Sequence, residues 1–125
     1  MIIADTSVWI EYLKGDKWYL KVFGSYLEDR QIIALSPVFG ELLQGVKNKR
    51  EHRIISGFWE NLPHIDEEGL FIDAGQVSFE QKLYAYGVGL IDCYILSAGI
   101  KYGHGIWTLD KKLLGAIDRL EMEFR

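Results

Sequence analysis

The sequence predicts an α/β fold: a single-domain α/β/α sandwich with a central parallel sheet of about five strands. Two runs, residues 1–4 and 106–109, are short and almost uniformly apolar, as expected of strands buried on both faces. Longer segments with apolar residues at helical spacing lie between the predicted strands. Alternating helices and short buried strands are typical of a parallel sheet covered on both faces.

Five segments are predicted as strands. The first is residues 1–4 and the second is residues 32–35. A weak third strand is assigned to Ile65 or, alternatively, to Phe71-Ile72. Residues 103–109 form the fourth predicted strand, and residues 122–124 form a final strand at the edge of the sheet.

Seven helices are predicted between these strands. Gly15 ends the first of them, Pro37 suits the first turn of the third, and Gly87 stops the fifth. The predicted helices span residues 6–13, 18–28, 36–45, 47–62, 74–86, 90–102 and 111–120.

Composition indicates one soluble domain over residues 1–125. The chain has 49% hydrophobic and 26% charged residues, which is ordinary for a globular protein. The single cysteine, Cys93, excludes an internal disulfide and favours a reducing, cytoplasmic location. No apolar run approaches the ~20 residues needed to cross a bilayer, and Asp5 interrupts the N-terminal run, so we expect neither a membrane span nor a signal peptide.

Four acidic residues stand out by their positions: Asp5, Glu41, Asp92 and Asp110. Asp5 and Asp110 each close a predicted strand, and the carboxyl ends of parallel strands meet at one edge of a sheet. Glu41 and Asp92 lie on or at the start of helices and have apolar neighbours, although an unpaired buried carboxylate is costly. Each aspartate could instead cap a helix. A shared cation accounts for all four at once.

Magnesium is the best candidate for that cation, because it prefers oxygen ligands and needs few protein carboxylates. Zinc is disfavoured, since His52, His64 and His104 are far apart and form no ligand motif. The formal net charge of −4 argues mildly against a protein that coats nucleic acid. Local basic groups could still guide a phosphate backbone or simply form solvated helix faces; they are Lys47, Lys49, Arg50, Arg53, Lys111 and Lys112.

Four segments together resemble the successive motifs of PIN domains, which are metal-dependent ribonucleases. They are IIADTS at residues 2–7, ELLQG at 41–45, LIDCYIL at 90–96 and WTLDKK at 107–112. The likeness spans nearly the whole chain in order, and the compact single-domain length is similar to VapC toxins of toxin–antitoxin pairs. The chain departs from the family pattern at Tyr94 and Leu96, where small residues are common.

The resemblance implies a magnesium-dependent endoribonuclease in which Mn²⁺ can replace Mg²⁺. Asp5 would be the central metal ligand, Asp92 and Asp110 would complete the coordination shell directly or through water, and Glu41 would orient water or hold a second ion. Thr6, Ser7 or Thr108 would position these carboxylates or cap helices. Water activated by the metal would attack an RNA phosphodiester.

The resemblance also implies partners: the RNA substrate, a cognate antitoxin protein and a second copy of the chain in a homodimer. Trp9, Trp18 and Trp59 are expected in the core, with one or two at a dimer or partner surface. An antitoxin helix would lie against Trp9, Tyr12 or Trp18 and project an arginine into the acids.

Three other functions stay open from the sequence. A PIN-like nuclease could process RNA as a housekeeping enzyme rather than as a toxin. A receiver-like signalling domain also binds magnesium through acids, but it has paired acids after its first strand, whereas Asp5 precedes Thr6-Ser7. A catalytically silent binding module is the third alternative.

Overall fold

The structure is a computed structural model that describes residues 1–120. Its three strands are β1 (Ile2–Ala4), β2 (Ile32–Ile33) and β3 (Gly105–Trp107). Its seven α-helices are α1 (Thr6–Leu13), α2 (Lys17–Glu28), α3 (Ser36–Gln44), α4 (Lys49–Asn61), α5 (Leu70–Gln81), α6 (Leu90–Tyr102) and α7 (Lys111–Arg119). A 3₁₀ helix, Leu83–Tyr86, lies between α5 and α6.

The sheet is parallel, and β1 lies at its centre in the order β2-β1-β3. Ile3 pairs with Ile33 on one side and with Ile106 on the other. All three strands are buried along their whole length, which explains their uniformly apolar sequences. Because the strands are parallel and adjacent, β1 and β3 deliver the residues that follow them to the same edge.

The α/β class is confirmed, but the predicted sheet of about five strands is wrong for residues 1–120. Ile65 lies in an irregular segment, and Phe71-Ile72 belong to the first turn of α5. Helical spacing decides this region, because Leu70 and Ala74, four residues apart, are both fully buried. The strand predicted at residues 122–124 lies outside the described residues.

The helix predictions agree at α1 and α6, whose bounds match, and differ most at α5. That helix begins at Leu70 rather than at residue 74 and ends at Gln81. Lys82, with φ of 55°, adopts the left-handed conformation that ends the helix, and the 3₁₀ helix then continues to Tyr86. A lysine carries no sequence signal for that conformation, so the end of α5 was not predictable locally.

Aromatic side chains form the core against α1. The Trp9 ring lies 4.9 Å from Phe23, 5.2 Å from Phe39 and 5.2 Å from Phe58, measured between centroids. Trp9 is fully buried, whereas Trp18 is 55% exposed, so only the first of these two belongs to the core. Within residues 1–120, none of the helices is both long enough and apolar enough to span a bilayer.

Candidate active site

Two of the predicted site residues lie at the carboxyl edge of adjacent strands. Asp5 directly follows β1, and its backbone N–H donates to the carbonyl of Trp107 at 3.0 Å, which extends the pairing of β1 with β3 by one residue. Asp110 lies three residues beyond the end of β3. The sheet therefore brings together two acids that are 105 positions apart in the chain.

Asp5 is buried and firmly held by hydrogen bonds to both carboxylate oxygens. Its Oδ1 accepts from the Ser7 hydroxyl at 2.5 Å and from the Ser7 backbone N–H at 3.0 Å. Its Oδ2 accepts from the hydroxyl of Thr108, a residue that is only 2% exposed. Hydroxyl donors at both oxygens fix the orientation of the carboxylate and offset the cost of burying its charge.

Ser7 and Thr108 also connect the loop after β3 to this carboxylate. The Leu109 backbone N–H donates to Ser7 Oγ at 3.0 Å, and the Asp110 N–H donates to Thr108 Oγ1 at 3.0 Å. The same two hydroxyls thus orient Asp5 and hold the chain that carries Asp110.

Helix capping accounts for part of the role of two of the three aspartates. Asp5 caps α1, and Asp110 caps α7 by accepting from the backbone N–H groups of Lys112 at 2.8 Å and Leu113 at 3.1 Å. Only Oδ1 of Asp110 takes part, which leaves Oδ2 without a donor among residues 1–120. Asp92 lies in the first turn of α6 but does not cap it, because Gly89 occupies the cap position.

Glu41 reaches the same edge from α3. Its Oε1 accepts a hydrogen bond from Thr6 Oγ1 at 2.7 Å, and Thr6 is the residue next to Asp5. Val38 and Leu42 beside it on α3 are buried, but Glu41 itself is exposed. The apolar neighbours therefore face the core, whereas the carboxylate faces solvent close to Asp5.

The pKa of Asp92 depends on the charges of the other three acids. Burial raises the pKa of Asp92 to about 6, with further increases from the negative charges of Asp110, Asp5 and Glu41. The Lys112 ammonium opposes these effects and lowers the pKa. No group in the described part of the chain donates a hydrogen bond to Asp92, so it is the least compensated of the four carboxylates.

Metal ions differ in how many protein ligands they need, which bears on what these acids could hold. Within residues 1–120, no three histidine, cysteine, aspartate or glutamate side chains are arranged to hold one ion together. Magnesium usually keeps several waters and is bound through one or two carboxylates, so it needs fewer protein ligands. Structural zinc sites use four close protein ligands and catalytic ones three plus water, which residues 1–120 do not provide.

A cavity of about 490 Å³ adjoins Glu41 and lies between α1, α3 and α4. Thr6 and Glu41 line one part of it, and Ile10, Leu13 and Ile54 contribute exposed apolar side chains. Lys14, Lys47 and Arg50 also line it. The sequence indicated the basic residues of α4, but it gave no sign that Lys14 would share a cavity with them.

Sequence reasoning missed the contact between Tyr94 and Glu67. The Tyr94 hydroxyl donates to Glu67 Oε1 at 2.7 Å, and burial raises the pKa of Tyr94 to about 12. The residues are 27 positions apart, so no local pattern signals their contact.

Comparison of the chain with models of protein families gives no match, and comparison with curated proteins gives none either. The geometry and electrostatics of the four acids are therefore the observations that bear on function.

Proposed function

We propose that this protein is a magnesium-dependent endoribonuclease of the PIN type and the toxin of a toxin–antitoxin pair. The proposal rests on the sheet edge that carries the acids: Asp5 follows β1, Asp110 follows the adjacent β3, and Glu41 accepts a hydrogen bond from the Thr6 hydroxyl at 2.7 Å. Burial, together with the charges of Asp110, Asp5 and Glu41, raises the pKa of Asp92 to about 6, which supports the proposal. A divalent cation would relieve the repulsion between Asp92 and the other three acids. Capping alone explains neither Asp92 nor Glu41.

The four acids differ in how their carboxylate oxygens are held. Asp5, fixed by Ser7 and Thr108, is the oriented ligand, and Asp92, with no donor among residues 1–120, is its partner. Asp110 keeps one oxygen free and reaches the ion through water. Bound Mg²⁺ would lower the pKa of water and neutralise charge developing on the phosphate; Mn²⁺ would do the same.

Glu41 is suited to orient the attacking water. The Thr6 hydroxyl holds one of its oxygens at 2.7 Å, and the other oxygen has no donor among the described residues. An oxygen that is free to accept can align a water molecule for attack on phosphorus. Because Glu41 is exposed, substrate can approach it without a rearrangement of the core.

Cations on both sides of the acids would contact the RNA backbone. Lys112 lies close enough to Asp92 to lower its pKa, and Lys47 and Arg50 line the cavity beside Glu41. Phosphate contacts of this kind position RNA without reading its sequence. They also offset the repulsion between an RNA phosphate and four carboxylates.

The direct test is cleavage of total RNA by purified protein with and without Mg²⁺, followed by mapping of the cut ends. We expect cleavage that requires Mg²⁺ or Mn²⁺ and is absent in Asp5→Asn. The matched control is Glu28→Gln, which removes an exposed acid at the end of α2, on the side where the chain enters β2 rather than at the carboxyl edge. Cleavage that persists in Asp5→Asn, or that needs no divalent ion, would refute the nuclease proposal.

The toxin role requires an antitoxin, for which the cavity offers a surface. Trp9 is fully buried and cannot contact a partner, contrary to the expectation from sequence. The exposed side chains Ile10 and Leu13, which line the cavity, would instead receive an apolar helix, whose arginine would pair with Glu41. Trp18 is exposed but does not line the cavity. Co-expression with the neighbouring open reading frame should restore growth and yield a complex. Harmless expression of the chain alone would refute the toxin role but not the nuclease.

A homodimer is part of the same proposal. On α5, Ile72 is 73% exposed and Phe79 is 74% exposed, and their spacing of seven residues places them on one helix face. Sedimentation equilibrium of the parent and of Ile72→Ser/Phe79→Ser would test whether this face joins two copies. A monomeric parent protein would refute it.

A further inference from the structure

The segment between α4 and α5, residues 62–69, is tied to several parts of the fold. The Ala34 backbone N–H, just beyond β2, donates to the carbonyl of Pro63 at 2.9 Å. The Tyr102 hydroxyl, at the end of α6, donates to the carbonyl of Asp66 at 2.5 Å. The carboxylate of Glu67, in the same segment, accepts hydrogen bonds from Ser36 and Tyr94.

Glu67 caps α3 from a distant point in the chain. Its two oxygens accept from the Ser36 backbone N–H at 3.1 and 3.0 Å, and Oε1 also accepts from Ser36 Oγ at 2.6 Å. Leu35, at the cap position of α3, has no side chain that can do this, and Pro37 has no N–H to offer. A carboxylate at this helix start satisfies a free N–H and favours the helix dipole.

The same carboxylate also binds α6, because Oε1 accepts from the Tyr94 hydroxyl at 2.7 Å. Tyr94 is 2% exposed, so its ring is fixed by packing. Glu67 is therefore a single group that joins the start of α3 to the second turn of α6.

Helices α3 and α6 pack against different elements of the fold. α3 packs mainly against α4 and α1, whereas α6 packs mainly against α5 and β3. Glu41 lies on α3 five residues after Ser36, and Asp92 lies on α6 two residues before Tyr94. Glu67 thus links the two helices that carry Glu41 and Asp92.

We propose that Glu67 is a positioning residue that fixes α3 relative to α6 and so sets the separation between Glu41 and Asp92. Its effect on catalysis rests on the nuclease function proposed above, but its effect on the two helices does not. Tyr94 is its required partner on α6, which gives a physical reason for a large hydroxyl-bearing side chain at that position.

The helix geometry can be measured without metal or RNA. Nitroxide labels at Gln44→Cys on α3 and Ile100→Cys on α6, in a Cys93→Ala background, report the distance between the helices by pulsed electron spin resonance. We expect Glu67→Ala and Tyr94→Phe to shift or broaden the distance distribution, and Glu67→Gln, whose amide oxygen can still accept from Ser36 and Tyr94, to change it less than Glu67→Ala. Tyr102→Phe is the matched control, because it removes a tyrosine hydroxyl that binds the same segment without linking α3.

Thermal unfolding of each variant confirms that it is folded before the distances are compared. Tyr94→Phe loses only one hydroxyl, so it keeps the test valid if Glu67→Ala fails to fold. A distance distribution that is unchanged in folded Glu67→Ala or Tyr94→Phe overturns the proposal.

Cleavage assays test the catalytic consequence separately. Misplacing a catalytic group by about 1 Å costs on the order of 100-fold in rate, so we expect Glu67→Ala to lower kcat by roughly that factor with little change in KM. In a Glu41→Gln background the same change should add almost nothing, because the group that Glu67 positions is already gone. Full, additive losses in both backgrounds would overturn positioning through Glu41. If the parent protein does not cleave RNA, the nuclease proposal fails, and the distance measurement alone decides the role of Glu67.

Discussion

Replacing Asp92 by asparagine should stabilise the protein in the absence of metal while removing its function. The carboxylate is partly buried beside three other acids and receives no hydrogen bond within residues 1–120, which raises its pKa to about 6 from an ordinary value of 3.8. Asparagine has nearly the same shape but no charge. The substitution therefore removes repulsion without creating a cavity.

The size of the effect follows from the pKa. A difference between 3.8 and about 6 corresponds to about 3 kcal/mol, and water screening of a half-buried carboxylate reduces this to about 1–2 kcal/mol. For a domain of this length, that gain raises Tm by roughly 4–8 °C.

The sign of the pH dependence follows from the same shift. Because the folded pKa of Asp92 is raised, the parent protein is favoured while Asp92 is protonated and loses stability as pH rises through about 6. The asparagine side chain does not titrate, so the advantage of Asp92→Asn should be full at about pH 7.5 and disappear near pH 4. Urea unfolding of both proteins at several pH values measures the difference.

Magnesium should reverse the order of stability. At about hundredfold excess over Kd, a bound ion stabilises the parent by about 2.7 kcal/mol, which exceeds the advantage of Asp92→Asn, whereas Asp92→Asn itself should gain little. Glu28→Gln, which removes an exposed charge at the end of α2, should change stability by less than about 0.5 kcal/mol at any pH. If Asp92→Asn is less stable than the parent at about pH 7.5 without metal, the reasoning is refuted.

Three further substitutions test the other parts of the site. Asp5→Asn should stay folded, because an amide oxygen can still cap α1, yet lose nearly all RNA cleavage; cleavage at the parent rate by a folded variant would contradict the assigned ligand. Asp110→Asn should lose less cleavage than Asp92→Asn, since an amide can partly replace a carboxylate that acts through water; equal, complete losses would mark Asp110 as a direct ligand. Thr108→Val should cost about 1–3 kcal/mol in urea unfolding because it leaves Asp5 Oδ2 without its donor, whereas Thr108→Ser should cost much less; equal costs would show that the hydroxyl is unimportant.

The sequence could predict the α/β class because that class depends on local patterns. Residues 2–4 and 105–107 are uniformly apolar and do form buried strands, and the helical spacing over residues 6–13 and 90–102 gives both helices with their bounds. The third strand was wrong because a short apolar run fits either a strand or a helix. At Phe71-Ile72 the packing of Leu70 and Ala74 against the core decided in favour of the helix.

In the candidate site, too, some features follow from the sequence and others only from the tertiary structure. Strand ends, apolar neighbours and the order of four motifs selected Asp5, Glu41, Asp92 and Asp110 from the sequence, and residues that follow adjacent parallel strands share one edge whatever the loops between them do. Only the tertiary structure decided how each acid is held: that Thr108, 103 residues away, binds Asp5, and that Asp92 remains without a donor within residues 1–120.

The sequence by itself indicated the candidate acids and the edge of the sheet that they share, because the apolar patterns that mark strands and helices are local. The tertiary structure decided burial, charge coupling and support. These three properties depend on contacts between parts of the chain that are distant in sequence. The contacts of Glu67 with Ser36 and Tyr94 are examples, and no periodic pattern in the sequence signals them.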